Sequence, residues 1–192
     1  MPFVETVPED AASEEVADLY EAARGGSGGV PNLVRAFSLR PRVYAAWQQL
    51  NAAIKEPDVR RYEIATLAAA RRLRSSYCAL AHGKVVAEQL LGVDGVVRFP
   101  EGLDAAERAV AELAEQVVTD ATSVTAEQID GLRAHGLSDA EIVDVVLAAA
   151  ARCFFSKTLD ALGVQADAAY ADLEPELRDS LVVGRPIEAA GS

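Results

Sequence analysis

Apolar residues recur along most of this chain at spacings of three and four, the repeat of one face of an α-helix. The strict apolar–polar alternation of a half-buried strand is rare. Start signals precede the periodic runs. Ser13 stands before "EEVADLYEAAR", which has acids in its first turn. Asp104 with Glu107, Thr125 with Gln128, and Ser138 with Glu141 have the spacing of reciprocal capping boxes. They open "AERAVAELAEQVV", "AEQIDGLRAH" and "DAEIVDVVLAAAARCFFSKTLDAL". Gly25–Gly26, Gly92, Gly136 and Gly163 follow periodic runs as stops, and Pro31 and Pro41 suit first turns. Between the first and last helices lie "VPNLVRAFSLR", "RPRVYAAWQQLNAAIKE", "VRRYEIATLAAARRLR" and "SYCALAHGKVVAEQLLG". The pattern predicts an all-α fold of about eight helices in a single domain over residues 1–192, with tails 1–12 and 180–192 loosely packed. Residues 94–102, "DGVVRFPEG", read as a loop.

Two stretches need a physical choice. The glycine cluster "RGGSGGVPN" follows a helix rather than a strand and lacks a Lys-Ser/Thr or Gly-x-Gly-x-x-Gly pattern, so it reads as a connector and not a phosphate cradle. The run "VVLAAAARCFF" (residues 145–155) is too short to span a bilayer and sits inside a longer amphipathic pattern. It reads as a core helix, one that can also pack against a second subunit, with Cys153 as a small apolar filler.

Composition narrows the function classes. A chain of 192 residues, 51% of them apolar, can bury a sizeable core. A formal charge of −12 argues against binding nucleic acid or an anionic membrane, which needs clustered Lys and Arg. The acidic "MPFVETVPEDAASEE" is unlike a signal peptide, so the expected compartment is the cytoplasm. Two cysteines do not make a disulfide framework.

Chemistry concentrates in "RSSYCALAHG", residues 74–83. Ser75 or Ser76 suits an N-cap, which puts Cys78 in the first turn, where free backbone N–H groups and the helix dipole favour an anion. His82, four residues on, shares that face and can move a proton for the thiol. Glu63 lies on the preceding helix. At 1.5 Å per residue it is roughly 13 Å from the turn and His82 roughly 10 Å, so the two can meet across a central antiparallel pair. The same spacing also suits two core residues, with Glu63 paired to Arg71 or Lys84 on a solvated face. Cys78, His82 and Glu63 could in principle supply three zinc ligands, but no metal or other cofactor is expected.

The pattern Glu63-x11-Ser75-x2-Cys78-x3-His82 resembles the signature of the AhpD-like superfamily of alkylhydroperoxidases, peroxidase-related proteins and carboxymuconolactone decarboxylases. "GGVPNLVRAFSLRPRVYAAW" and "FFSKTLDALGVQADAAY" resemble the flanks of its peroxidase-related branch, so the likeness covers roughly residues 15–170. The resemblance implies an AhpD-like helical domain that assembles as a homo-oligomer, a trimer or hexamer. It also implies a catalytic set of Cys78, His82 and Glu63. Ser75 stands where redox members carry the first Cys of Cys-x-x-Cys, and a hydroxyl cannot close a disulfide. Ser75 is expected to cap the helix, to donate to the Cys78 sulfur or to relay a proton. The implied activity is a one-Cys peroxidase acting on a hydroperoxide and resolved by a small-molecule thiol, a protein thiol or Cys153. The alternatives are a lyase or isomerase that works through His82 and Glu63 on a small organic acid, with Arg71, Arg72, Arg74 or Lys84 holding the anion, and a relative without catalysis.

Overall fold

The computed structural model describes residues 2–24 and 29–189. The Gly25–Gly26 stop and most of the glycine-rich connector lie outside the described residues. In chain order the helices are α1 (Glu14–Arg24), α2 (Asn32–Phe37), α3 (Pro41–Lys55), α4 (Val59–Arg72), α5 (Ser76–Val86), α6 (Gly92–Val97), α7 (Ala105–Asp120), α8 (Ala126–Ala134), α9 (Asp139–Ala161) and α10 (Pro175–Leu181). There is no strand among the described residues. Each of the eight expected helices forms. All three capping boxes close, at Asp104–Glu107, Thr125–Gln128 and Ser138–Glu141. Gly136 and Gly163 take φ values of +93° and +74°, the left-handed region in which a helix is readily terminated.

The hub is α4. Every residue from Tyr62 to Ala70 is buried, and α4 packs against α5, α7 and α9. Small side chains make this possible: Ala65, Ala68, Ala69 and Ala70 let neighbouring helices approach closely, and Leu67, Leu80 and Leu159 fill the spaces between them. No described helix is long and apolar enough to cross a membrane.

Two segments depart from the sequence expectation. Part of the expected loop 94–102 is helical, as α6; a π-helical segment (Ala87–Leu91) extends α5, and Gly92, at φ +71°, turns the chain into α6. The C-terminal segment, expected to pack loosely, is docked as far as it is described. Leu181 of α10 is fully buried against Gly83, where a Cβ would lie only 2.4 Å from a Leu181 methyl. Beyond it, Gly184 N donates to Ser76 Oγ (2.8 Å), Arg185 Nη2 to the Asp160 carbonyl (2.9 Å), and Glu188 N to the Ala166 carbonyl (2.9 Å). At the other end, Val7 N donates to Ser38 Oγ (3.0 Å) and Phe3 N to the Leu162 carbonyl (2.8 Å). These anchors are single long-range contacts, which leave no periodic trace in so short a stretch.

Candidate active site

The chain reverses between α4 and α5 within three residues. Arg74 takes φ +58°, uncommon for a side chain of its size, and Ser75 N donates back to the Ala70 carbonyl (3.0 Å). The reversal brings two distant positions level. His82 Nδ1 lies 2.6 Å from Glu63 Oε2. Lys55, in the last turn of α3, donates from Nζ to Glu63 Oε1 at 2.6 Å. Glu63 is fully buried, so neither Arg71 nor Lys84 holds it on a solvated face.

The charge states follow from these contacts. Burial opposes the Glu63 charge, but His82 and Lys55 outweigh it and hold the carboxyl below its ordinary range. For His82, burial and then the Arg152 guanidinium push the pKa down to about 4, against the pull of Glu63. Near neutral pH the carboxylate is therefore ionised and the imidazole neutral. Nδ1–H donates to Glu63, and Nε2 is left as the proton acceptor.

Cys78 sits one turn before His82 and is 2% exposed. Its sulfur accepts from Arg152 Nη1 at 3.5 Å. Arg152, on α9, is itself 3% exposed. Its Nη2 donates to the Tyr62 hydroxyl (3.1 Å), which donates in turn to Asn51 Oδ1 (2.6 Å). The guanidinium lies over the rings of Trp47 and Phe155, at 5.7 and 5.6 Å. Tyr62 also meets His82 edge-on, with ring centroids 5.9 Å apart, and Lys55 Nζ lies 5.4 Å from its centroid. Two chains of contact thus meet at Tyr62: Lys55–Glu63–His82 and Asn51–Tyr62–Arg152–Cys78.

Ser75 does not do what its position suggests. It occupies the N-cap of α5, yet its hydroxyl accepts from no backbone N–H of the first turn. Fully buried, it has no hydrogen-bond partner of ordinary geometry among the described residues, although it lies near enough to Asp160 to oppose the rise that burial causes in that carboxyl's pKa. Cys153 is half-buried, and both cysteines are free thiols. The four cations offered for an anionic substrate are engaged elsewhere. Arg71 donates to the Val96 carbonyl, Arg72 to Thr119, Arg74 to the Val183 carbonyl, and Lys84 pairs with Glu88. The cations at the site are Lys55 and Arg152. Neither these nor Tyr62 was expected from sequence. Arg152 alone had a legible signal, as the one charge inside the run 145–155. Among the described residues no group of three His, Cys, Asp or Glu is arranged to hold a metal ion.

No protein-family model matches the chain, and no curated protein sequence does. Solved structures do. An uncharacterized peroxidase-related protein from Ralstonia eutropha JMP134, described as an alkylhydroperoxidase AhpD core, superposes with a TM-score of 0.75 at 19% identity, over 96% of this chain and 98% of that one. The chain has the AhpD-like fold. A peroxidase-related protein from Silicibacter sp. TM1040 shares it at TM-score 0.73 and 19% identity, over 89% of this chain and 96% of that one. So does a variant of the debrominase Bmp8 in complex with 2,3,4-tribromopyrrole, at TM-score 0.70 and 14% identity, over 94% and 98%. In the AhpD-like frame of this chain, α4 contributes Glu63 and Tyr62, α5 contributes Cys78 and His82, α3 contributes Lys55, and α9 contributes Arg152.

Proposed function

We propose that this protein is a one-Cys, peroxidase-like oxidoreductase of the alkylhydroperoxidase type, with Cys78 as nucleophile, His82 as acid and base, and Glu63 as the group that orients His82. The observation that carries the reading is the 2.6 Å contact between Glu63 Oε2 and His82 Nδ1, one turn from a buried thiol that a cation touches. It fixes the imidazole tautomer and leaves Nε2 free on the helix face that Cys78 shares. In the first step the thiol proton passes to His82 Nε2. The sulfur then attacks the distal oxygen of ROOH, the O–O bond breaks, and the departing alkoxide takes the proton from Nε2. The thiol becomes a sulfenic acid and ROOH becomes ROH. A thiol reductant R'SH condenses with the sulfenic acid, releasing water and leaving a mixed disulfide. A second R'SH frees Cys78 as R'SSR' leaves. Cys153 is an internal candidate for the first of these thiols. Ser75, which stands in the position of the first thiol of a dithiol pair, cannot fill that role.

A proton-transfer reading, a carboxymuconolactone decarboxylase-like lyase or isomerase on a small organic acid, rests on one observation. The His82 side chain is 16% exposed and that of Lys55 38%, whereas Cys78 is nearly sealed. The same experiment separates the two. Intact-mass spectrometry after titration with an organic hydroperoxide should give one added oxygen on Cys78. A thiol that stays unmodified under excess hydroperoxide removes the peroxidase reading. The Cys78→Ser variant would then retain turnover of an organic acid while His82→Ala would not.

Assembly as a homo-oligomer, a trimer or hexamer, belongs to the same proposal. Its support is an apolar groove of about 470 Å³ between α3 and α9, lined by Val43, Trp47, Leu50, Leu147 and Phe154 among others. Cytoplasmic location remains the expectation from the acidic N-terminal sequence, and the absence of nucleic-acid and membrane partners remains the expectation from charge.

A further inference from the structure

The buried cation Arg152 is the least expected feature of the interior. Taking a guanidinium out of water is costly unless an anion meets it. Its hydrogen-bond partners among the described residues are the Cys78 sulfur and the Tyr62 hydroxyl, neither of them a carboxylate, and its Nε–H has no partner. Stacking on Trp47 and Phe155 holds the plane of the group without neutralising it. Two of the groups it touches can ionise, and a thiol does so more readily than a phenol. Tyr62 is moreover committed as a donor to Asn51, which requires it to keep its proton. The anion that matches Arg152 inside the protein is therefore the Cys78 thiolate. The other titratable groups around the sulfur do not compete for the cation. His82 is neutral and occupied by Glu63 on α4, whose second oxygen is held by Lys55 from α3. Tyr170, also near the sulfur, is kept protonated by burial.

We propose that Arg152 is a further catalytic residue, the counter-ion that holds Cys78 as a thiolate, and that Tyr62, fixed by Asn51, is the positioning residue that aims it. The proposal rests on the reading of Cys78 as a nucleophile but not on the identity of the electrophile. Arg152 supplies a fixed positive charge at the attacking atom. His82, neutral at rest and oriented by Glu63, takes the thiol proton on Nε2 as the thiolate forms against Arg152 and gives that same proton to the leaving oxygen. The arrangement also gives the site a working thiolate without a second cysteine, because the stabilisation that a neighbouring thiol provides in a dithiol motif comes here from a different helix.

The test uses a neutral alkylating reagent, iodoacetamide, on the whole protein, with modification of Cys78 read by peptide mass spectrometry so that Cys153 is counted separately. The quantity is the ratio of the Cys78 rate at neutral pH to its plateau rate at alkaline pH. Access to the buried sulfur affects both rates alike and cancels. An opposite charge at this distance is expected to change the ratio by about tenfold or more. Arg152→Gln should lower it by that factor, and Arg152→Lys should hold it within about threefold of wild type. An unchanged ratio in Arg152→Gln overturns the proposal, whether or not the wild type reacts with hydroperoxide. A lowered ratio in a protein that forms no sulfenic acid upholds the counter-ion and removes the peroxidase. A second pair of variants needs no change at Arg152. Cys78→Asp places a permanent anion beside the cation and Cys78→Asn a neutral group of similar size. The aspartate variant should be the more stable of the two to urea, and the reverse order overturns the proposal.

Discussion

Helix α9 turns two unlike faces to its surroundings. Inward it buries a charge, Arg152, among aromatic rings and a thiol. Outward it exposes Val143, Leu147 and Phe154, each at 44% or more. Both faces break the rule that charge goes out and apolar surface goes in, and they break it in opposite directions. A buried charge lowers stability unless something in the interior answers it, and an exposed apolar groove invites association unless something covers it. The interior answers its charges with side chains of the same chain: Lys55, Glu63 and His82 on one side, Tyr62, Arg152 and Cys78 on the other. The outer groove has no answering group of its own. The first region is the one proposed here for chemistry, and the second the one proposed for a partner of matching apolar character.

Variants of the interior should separate the roles of its members, beginning with the largest effect. Cys78→Ala should abolish hydroperoxide turnover while leaving the far-ultraviolet circular dichroism of the helices unchanged; residual turnover above a few per cent would transfer the chemistry to another group. His82→Gln keeps a polar side chain of similar size but cannot shuttle the proton, so the rate of sulfenic acid formation should fall by about 10²- to 10⁴-fold. Glu63→Gln retains an acceptor for Nδ1–H and removes the charge, so a smaller loss of about tenfold is expected. Equal losses for Glu63→Gln and His82→Gln would make the carboxylate more than an orienting group.

The interior also carries a pH signature. His82 titrates at about 4 when folded, against an ordinary value of 6.5, so between those values the unfolded chain binds more protons than the native one. Stability from this group is complete above about pH 6.5 and is lost as the pH falls towards 4. Glu63, held below its ordinary range, keeps its own contribution until lower pH. Between about pH 7 and pH 5 the wild type should therefore lose about 1–2 kcal/mol of urea stability relative to His82→Gln. Parallel curves for the two proteins would mean that His82 titrates in the fold as it does in the unfolded chain, and a relative gain in stability towards pH 5 would mean that it is protonated in the fold.

The helices were legible in sequence because caps and periodicity are local: Ser138 and Glu141 announce the start of α9 wherever it packs. Glu63 facing His82 was legible because two helices joined by a short turn have a fixed geometry. Arg152 was not, because its meeting with Cys78 joins residues 74 positions apart through the packing of α9 on the central pair, which no local spacing encodes. In the run 145–155 the apolar character marks Cys153 as a filler, but it is the charge beside it, Arg152, that reaches the Cys78 sulfur. Ser75 misled for a related reason. Its backbone is at an N-cap, but the buried setting turns the hydroxyl away from α5 and towards the level of Asp160.

The smallest effect on chemistry should come from the outer groove, and it is the one that decides whether the two regions are separate. Leu147→Glu puts a charge on the exposed rim, away from every side chain of the proposed catalytic set. If the groove joins copies of this chain, the variant should fall to monomer mass in light scattering, while turnover per chain stays within about threefold of wild type. The two regions do share one wall. Trp47 lines the groove, stacks on Phe155 at 4.8 Å and carries the Arg152 guanidinium on its ring. A partner that presses on Trp47 therefore presses on the cation beside Cys78. If Leu147→Glu lowers turnover by more than about tenfold, assembly sets the position of Arg152 through that wall. Trp47→Leu, which removes the stacking surface without adding a charge to the rim, should then reproduce the loss in a protein that still assembles. If Leu147→Glu leaves turnover intact, the active site is complete in one chain.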